Sequence, residues 1–241
     1  MHVCPQSLLS LYSRGHTSGV VVDIGDSSSH VVPVQEGRVI LEGVSSSDIS
    51  GGALTSYLQE LLRLRGLDVE DLETVRCMKE RQACLLPSPL DSLPTSEYLY
   101  QSPGLDLLLI GKEKFLCPEI LFRPSGVKSE AKGISELALE ALLRFPGGPW
   151  NVFLAGGTTL CAGFVRRFKN ELQDMLSRHG QASLLPSTGA EVVVSAPQNR
   201  NISAWIGGSL FTSLPLFKQV WSSKEEYDEL GPLFFKRRNI F

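Results

Sequence analysis

Between Val20 and Val34 the chain runs Val20-Val21-Val22, then Asp23-Ile24-Gly25-Asp26-Ser27-Ser28-Ser29, then His30-Val31-Val32-Pro33-Val34. Two β-branched runs flank a cluster of turn formers, which specifies a hairpin. A second glycine turn obeys a different pattern. Asn151 to Leu154 reads as a buried strand and Ala155-Gly156-Gly157-Thr158-Thr159 as a tight turn. Phe164, Val165, Phe168, Leu172, Met175 and Leu176 then fall at helical spacing. A hairpin and a strand-turn-helix unit in one chain exclude an all-helical bundle and point to α/β architecture.

The remaining periodicity fits that class. Leu54, Tyr57, Leu58, Leu61 and Leu62 predict a helix from the Ser50-Gly51-Gly52 turn to Gly66, which suits a left-handed stop. Val69 to Leu85 predicts a second helix whose Arg76, Lys79, Glu80 and Arg81 read as a solvated face. Ile134, Leu137, Ala138, Ala141 and Leu142 predict another, stopped by Pro146-Gly147-Gly148-Pro149. Leu105 to Ile110 is a short apolar run, Glu191 to Ser195 predicts a strand, and Trp205 to Leu214 predicts a helical segment. Pro87, Pro89, Pro94 and Pro103 among serines argue against regular structure over much of 86–104.

Composition narrows the function. Lys plus Arg is 23 against 26 Asp plus Glu, a net charge of −3, so no positive field gathers a nucleic acid. The basic run Lys236-Arg237-Arg238 reads as a solvated tail. No apolar run approaches the roughly 20 residues that span a bilayer, and the first residues lack signal-peptide character, so a cytoplasmic location is expected without membrane insertion. Five cysteines without paired short spacings argue against a disulfide framework or a zinc cage. Gly104 to Lys112 lacks the glycine spacing of a Walker loop, and Glu113 stands where that loop needs a hydroxyl. Protease and esterase signatures are absent.

The two glycine turns are the candidate chemistry. Successive backbone N–H groups in such turns converge on an anion, and a missing Cβ lets a phosphate come close. Either turn alone reads as a mere connection far more readily than as a ligand cradle.

Taken in order, seven segments resemble actin: Gln6-Ser7-Leu8-Leu9-Ser10-Leu11-Tyr12; Val22-Asp23-Ile24-Gly25-Asp26 with His30; Lys79-Glu80; Phe115-Leu116-Cys117-Pro118-Glu119; Gly156-Gly157-Thr158-Thr159; Trp205-Ile206-Gly207-Gly208-Ser209; and Glu226-Tyr227-Asp228-Glu229-Leu230-Gly231-Pro232. The divergence between them resembles that of an actin-like or actin-related protein. The resemblance implies the actin-like ATPase (ribonuclease H-like) fold, an α/β architecture in which two domains close over a nucleotide. Here it covers mainly the second domain, with an incomplete first.

It implies a division into 1–13 with 203–241 as a remnant of the first domain, 14–49 with 130–202 as the nucleotide-side core, and 50–129 as a smaller outer lobe. ATP or ADP with Mg²⁺ is the implied ligand. Asp23, Gly25 and Asp26 match a phosphate hairpin, with Asp23 approaching the metal through water. Gln6 and His30 match the positions that orient the attacking water. Gly156, Gly157 and Thr158 match the turn beside the nucleotide. Arg76, Lys79 and Glu80 match positions near base and ribose, and Gly51 lies on the same rim.

Departures carry their own expectations. Ser27 stands where actins place glycine, so a side chain occupies the phosphate turn and a positive φ there would be costly. Asn201 and Ile202 replace a lysine and an aromatic residue near adenine, which weakens base contacts. Matching begins inside the first domain, so that domain's own phosphate hairpin lies outside the resemblance. This reads against efficient ATPase activity by the chain alone. Phe211, Leu214, Phe217, Trp221 and Phe234 would then form an apolar surface facing a partner. The expected function is a structural interaction protein of the cytoskeleton, bound to actin or actin-binding proteins. The alternative is an ATP-binding, slowly hydrolysing protein completed by a partner or an upstream extension.

Overall fold

The computed structural model describes residues 2–88, 98–100, 108–145, 150–180, 192–215 and 217–231. Pro146 to Pro149, most of 86–104, Glu191 and the aromatic basic tail with Phe234 lie outside them.

The hairpin forms as its valines dictate: β1 (Gly19–Ile24) pairs antiparallel with β2 (Ser29–Gln35). β3 (Arg38–Val39) and β4 (Ser45–Ser47) both join the outer edge of β2. The other side of β1 takes β7 (Asn151–Ala155) in parallel, and β7 takes β8 (Val193–Ser195), also in parallel. The resulting order is β3-β2-β1-β7-β8. A separate antiparallel pair joins β5 (Tyr98–Tyr100) to β6 (Leu108–Ile110), so the proline-rich stretch is not irregular throughout.

Strand alternation sorts the core into two layers. Val20, Val22, Ile24, Val31, Val152 and Leu154 face one side and bury against α2 (Gly51–Leu64), α5 (Ile134–Leu143) and α6 (Phe164–Gly180). Val21, Val32, Val34, Phe153 and Ala155 face the other side, where they meet Leu8 and Leu11 of α1 (Gln6–Tyr12). Fully burying one such side chain is worth about 1.5–3 kcal/mol.

Helix ends follow their chemistry. Gly66, at φ +86°, ends α2, with its N–H donating to Arg63 O and that of Leu67 to Leu62 O. Asp71 caps α3 (Leu72–Gln82) by accepting the amides of Glu73 and Thr74. α4 (Glu113–Glu119) contains Pro118, which cannot donate to the carbonyl of Lys114. That carbonyl accepts the amide of Cys84 at 3.0 Å instead.

The two hydrophobic layers are held by different devices. On the first, Arg167 of α6 is fully buried and pairs bidentately with Glu119 at 2.6 and 3.0 Å. It also reaches Glu171 at 2.8 Å. On the second, α7 (Ser203–Ser213) crosses α1 so closely that a Cβ on Gly207 would overlap the carbonyl oxygen of Leu9. α8 (Phe217–Val220) and α9 (Lys224–Leu230) follow it. His2, Tyr12 and Phe217 gather around Phe211, with ring centroids 5.4–5.6 Å from it.

Candidate phosphate site

β1 and β7 are neighbouring parallel strands, so their carboxyl ends lie side by side and each opens into one of the glycine turns. Crevices at such strand ends are where open α/β sheets bind ligands. Alternation puts Asp23 on the same face as Val21, the α1 side, and the register sets His30 directly opposite it on β2 and Ala155 beside it on β7. α1 adds Gln6, whose Nε2 donates to Asp23 Oδ2 at 2.9 Å.

The hairpin tip is oriented from behind. The N–H groups of Gly51 and Gly52, in the first turn of α2, donate to the carbonyls of Gly25 and Asp26 at 2.9 and 2.7 Å. Ser50 Oγ adds a bond to Asp26 O at 2.6 Å, and Thr158 Oγ1 one to Gly25 O at 2.9 Å. All described peptides are trans, so turning these two carbonyls toward α2 aims the N–H groups of Asp26 and Ser27 the other way. Among the described residues, the amides of Asp26, Ser27 and Ser28 donate to no protein acceptor. A phosphate is the ligand such a row of free donors fits.

The second turn closes against the first. Gly156 adopts φ +85°, and a Cβ there would stand 2.6 Å from Asp23 Oδ1. A Cβ on Gly51 would stand 2.7 Å from Thr158 Oγ1. Glycine is therefore required at both positions by close approach. Arg200 anchors the turn: its guanidinium donates to Thr159 Oγ1 and O at 2.8 and 2.7 Å, while its own carbonyl accepts the Gly156 amide at 3.0 Å.

Burial raises the Asp23 carboxyl pKa above its ordinary value, and the Gln6 bond and the His30 imidazole partly offset this. Burial likewise lowers the pKa of Lys79, whose Nζ donates to Gly51 O and Thr55 Oγ1 at 2.7 and 2.8 Å. Lys79 thus braces the first turn of α2 behind the phosphate turn. A divalent cation accompanying phosphate would find Asp23 Oδ1, and among the described residues no cluster of three metal-ligating side chains surrounds it.

The structure gathers Gln6, Asp23, Gly25, Asp26, His30, Gly51, Lys79, Gly156 and Thr158 around these two turns. Gly157 follows Gly156, beside Asn201, whose Cβ lies 4.0 Å from where a Cβ on Gly157 would be. Arg76 is engaged elsewhere, at 2.6 Å from Glu73 on an exposed face of α3, and Glu80 is exposed on the same helix. Ser27 differs from expectation. It does not adopt a positive φ, so its side chain carries no left-handed strain, and it points into solvent. The Gly25 N–H donates to Ser28 O at 3.1 Å across the turn, while the carbonyls of Gly25 and Asp26 are held by α2 and Thr158.

Sequence reasoning missed Ser28, Ser50, Thr55 and the anchoring role of Arg200. Ser28 Oγ shares a 2.8 Å hydrogen bond with His30 Nε2. The serine cluster was visible as turn chemistry, but nothing in its spacing distinguished the one that meets the histidine.

The Actin family model matches residues 1–102 and 69–239, which together span nearly the whole chain. The chain belongs to the actin family. It is 40% identical to human Actin-like protein 7B over 243 aligned residues, covering 96% of this chain and 56% of that relative. The Macaca fascicularis and Mus musculus proteins of the same name are also 40% identical, over 97% and 96% of the chain. The chain spans about half the length of these curated relatives. Its architecture is accordingly the α/β actin-like fold, represented in part, and no helix among the described residues is long and apolar enough to cross a membrane.

Proposed function

We propose that this actin-family chain works as an interaction protein of the cytoskeleton that keeps a phosphate-binding hairpin but is not an efficient ATPase. The observation that carries the interaction reading is α7. It carries no charged side chain and its apolar residues are spread round the axis rather than gathered in one stripe, as suits a helix covered on more than one side. Among the described residues α1 covers the side that carries Gly207, and Ser203 and Gly207 are the buried residues of the helix. Trp205 is 72% exposed, and Ile202, Leu210, Leu214 and Trp221 are exposed with it. Phe211 and Phe217 are instead half-buried in their ring cluster, so of the residues expected Leu214 and Trp221 stay exposed, Ile202, Trp205 and Leu210 join them, and Phe234 lies outside the described residues. Large apolar side chains exposed on one helix and its flanks fit a protein partner, and family membership favours actin or an actin-binding protein.

The phosphate hairpin supports nucleotide binding as the second half of the proposal. Its free amides suit ATP or ADP phosphates, and Asp23 suits the accompanying Mg²⁺ through water. Gln6 and His30 flank the carboxylate where an attacking water would be oriented, but Gln6 is bound to Asp23 and His30 to Ser28. Neither is poised on a water by these bonds, which supports slow hydrolysis. Asn201 and Ile202 at the second turn favour weak recognition of the base, and Arg76 and Glu80 would reach base or ribose only by leaving their exposed positions. The division into 1–13 with 203–241, 14–49 with 130–202, and 50–129 fits the α1–α7 pairing, and is proposed with the rest.

Cosedimentation with actin filaments tests the partner. The chain is expected in the pellet, with Trp205→Ser and Leu214→Ser both reducing it, and wild-type protein left wholly in the supernatant would overturn an actin partner. Titration with a fluorescent ATP analogue and Mg²⁺ tests the hairpin. Micromolar affinity lost in Asp23→Ala is expected, with turnover far below that of conventional actin.

A further inference from the structure

We propose that Ser28 is a phosphoryl acceptor, modified by the chain itself from a nucleoside triphosphate held at the hairpin; this rests on the nucleotide half of the reading above. Ser28 lies in the phosphate turn, and its own amide is one of the free donors. Its hydroxyl shares a 2.8 Å hydrogen bond with His30 Nε2, on the face of the sheet that carries Asp23. Asp23 stands opposite His30 in the β1–β2 register and is itself held by Gln6. Hydroxyl and imidazole are thus paired as a serine nucleophile and its base, with the Asp23 carboxylate across from the imidazole in the register but bonded to Gln6. No other turn serine has this arrangement: Ser29 donates to Ile49 O on the opposite face at 2.6 Å, and Ser27 makes no bond to the histidine.

In the step, the Ser28 oxygen forms a bond to the terminal phosphorus as its proton passes to His30 Nε2. The bond from that phosphorus to the bridging oxygen breaks, and its electron pair leaves on the nucleoside diphosphate. Asp23 stabilises the imidazolium, which later returns its proton to water. The products are phosphoserine and nucleoside diphosphate. Because the new phosphate stays at the turn amides, each chain reacts once, and transfer to Ser28 replaces repeated transfer to water. The site therefore marks itself rather than turning over.

The experiment incubates the 241-residue chain with Mg²⁺ and γ-labelled ATP, with a fluorescent ATP analogue binding in parallel. Incorporation should approach one phosphate per chain, map to Ser28, and proceed at a rate independent of protein concentration. Ser28→Ala should abolish it, and His30→Gln should slow it by about 10²-fold or more, the usual contribution of a positioned general base. Binding of the analogue without label at Ser28 would overturn the proposal while leaving the nucleotide reading intact. Failure of the analogue to bind would overturn both. Nuclear magnetic resonance of the nucleotide-free protein gives a readout independent of transfer. Ser28→Ala should shift the tautomer balance of the His30 imidazole, and unchanged His30 signals would overturn the activating hydrogen bond.

Discussion

Asp23 shows how a single position acquires its chemistry from neighbours far apart in sequence. It ends a run of buried valines, and alternation alone places it on the α1 face, where Gln6 and His30 meet it. Burial raises its pKa from the ordinary 3.8, so the folded, nucleotide-free protein holds this proton more tightly than the unfolded chain does. Stability from that proton is complete below the unfolded value and is lost as pH rises through the raised folded one. Asp23→Asn should therefore flatten this part of the stability profile, and denaturant midpoints between pH 3 and pH 7 measure it. Binding of a Mg²⁺-nucleotide should run the other way, weakening as pH falls through the same window. Gly156 makes a companion case. At φ +85°, with Asp23 Oδ1 and the Ile24 backbone beside its missing Cβ, Gly156→Ala meets both strain and overlap. A loss of about 1–3 kcal/mol of stability is expected by denaturation, together with loss of analogue binding. The two glycine turns were legible in sequence as turns that could hold phosphate. Their adjacency was not, since the parallel pairing of β1 with β7 joins segments some 130 residues apart.

At the level of elements, the long periodic segments were readable because burial of one face repeats at helical spacing: α2, α5 and α6 all formed where their stripes lie. α1 and α4 were not recognised as helices. Each has seven residues, too few to nucleate alone, and Pro118 inside α4 opposes the assignment locally. Both form because tertiary contacts complete them. α4 is tied to α6 by Glu119, which pairs with Arg167, itself also bound to Glu171, while Arg123 adds longer-range pairing to both carboxylates at 3.8 and 3.6 Å. Glu119→Gln leaves the fully buried Arg167 short of its bidentate partner. Breaking a buried pair in this way costs about 3–5 kcal/mol, and chemical denaturation should show a loss approaching that range, tempered by the remaining bond to Glu171. α1 depends instead on close approach to α7. Gly207→Ala would force a methyl group into the carbonyl of Leu9, so α1 must move and carry Gln6 away from Asp23. Reduced stability with weakened analogue binding is expected, which links helix packing on one face of the sheet to the geometry of the turn at its end.

The molecule as a whole has one thoroughly covered face and one thinly covered face. On the first side of the sheet, α2, α5 and α6 bury a large continuous core. On the second, α1 and α7 cover a much smaller group of residues, and the outer side of α7 has no helix of the described residues packed across it. Family membership was legible from seven ordered motifs, but this imbalance was only partly so, because ring packing around Phe211 withdraws residues that sequence alone would leave bare. The consequence is measurable before any partner is known. Ile202, Trp205, Leu210, Leu214 and Trp221 offer apolar area whose transfer out of water is worth roughly 25 cal/mol per Å². The isolated chain should therefore bind a hydrophobic dye and associate with itself as its concentration rises. Trp205→Ser combined with Leu214→Ser should reduce both effects without lowering the denaturation midpoint by more than about 0.5 kcal/mol in equivalent stability, as expected for exposed positions. A partner seated on α7 would compete with the dye and suppress self-association. Equal dye binding by wild type and the double variant would place the adhesive surface elsewhere and remove the reason for assigning the partner to this helix.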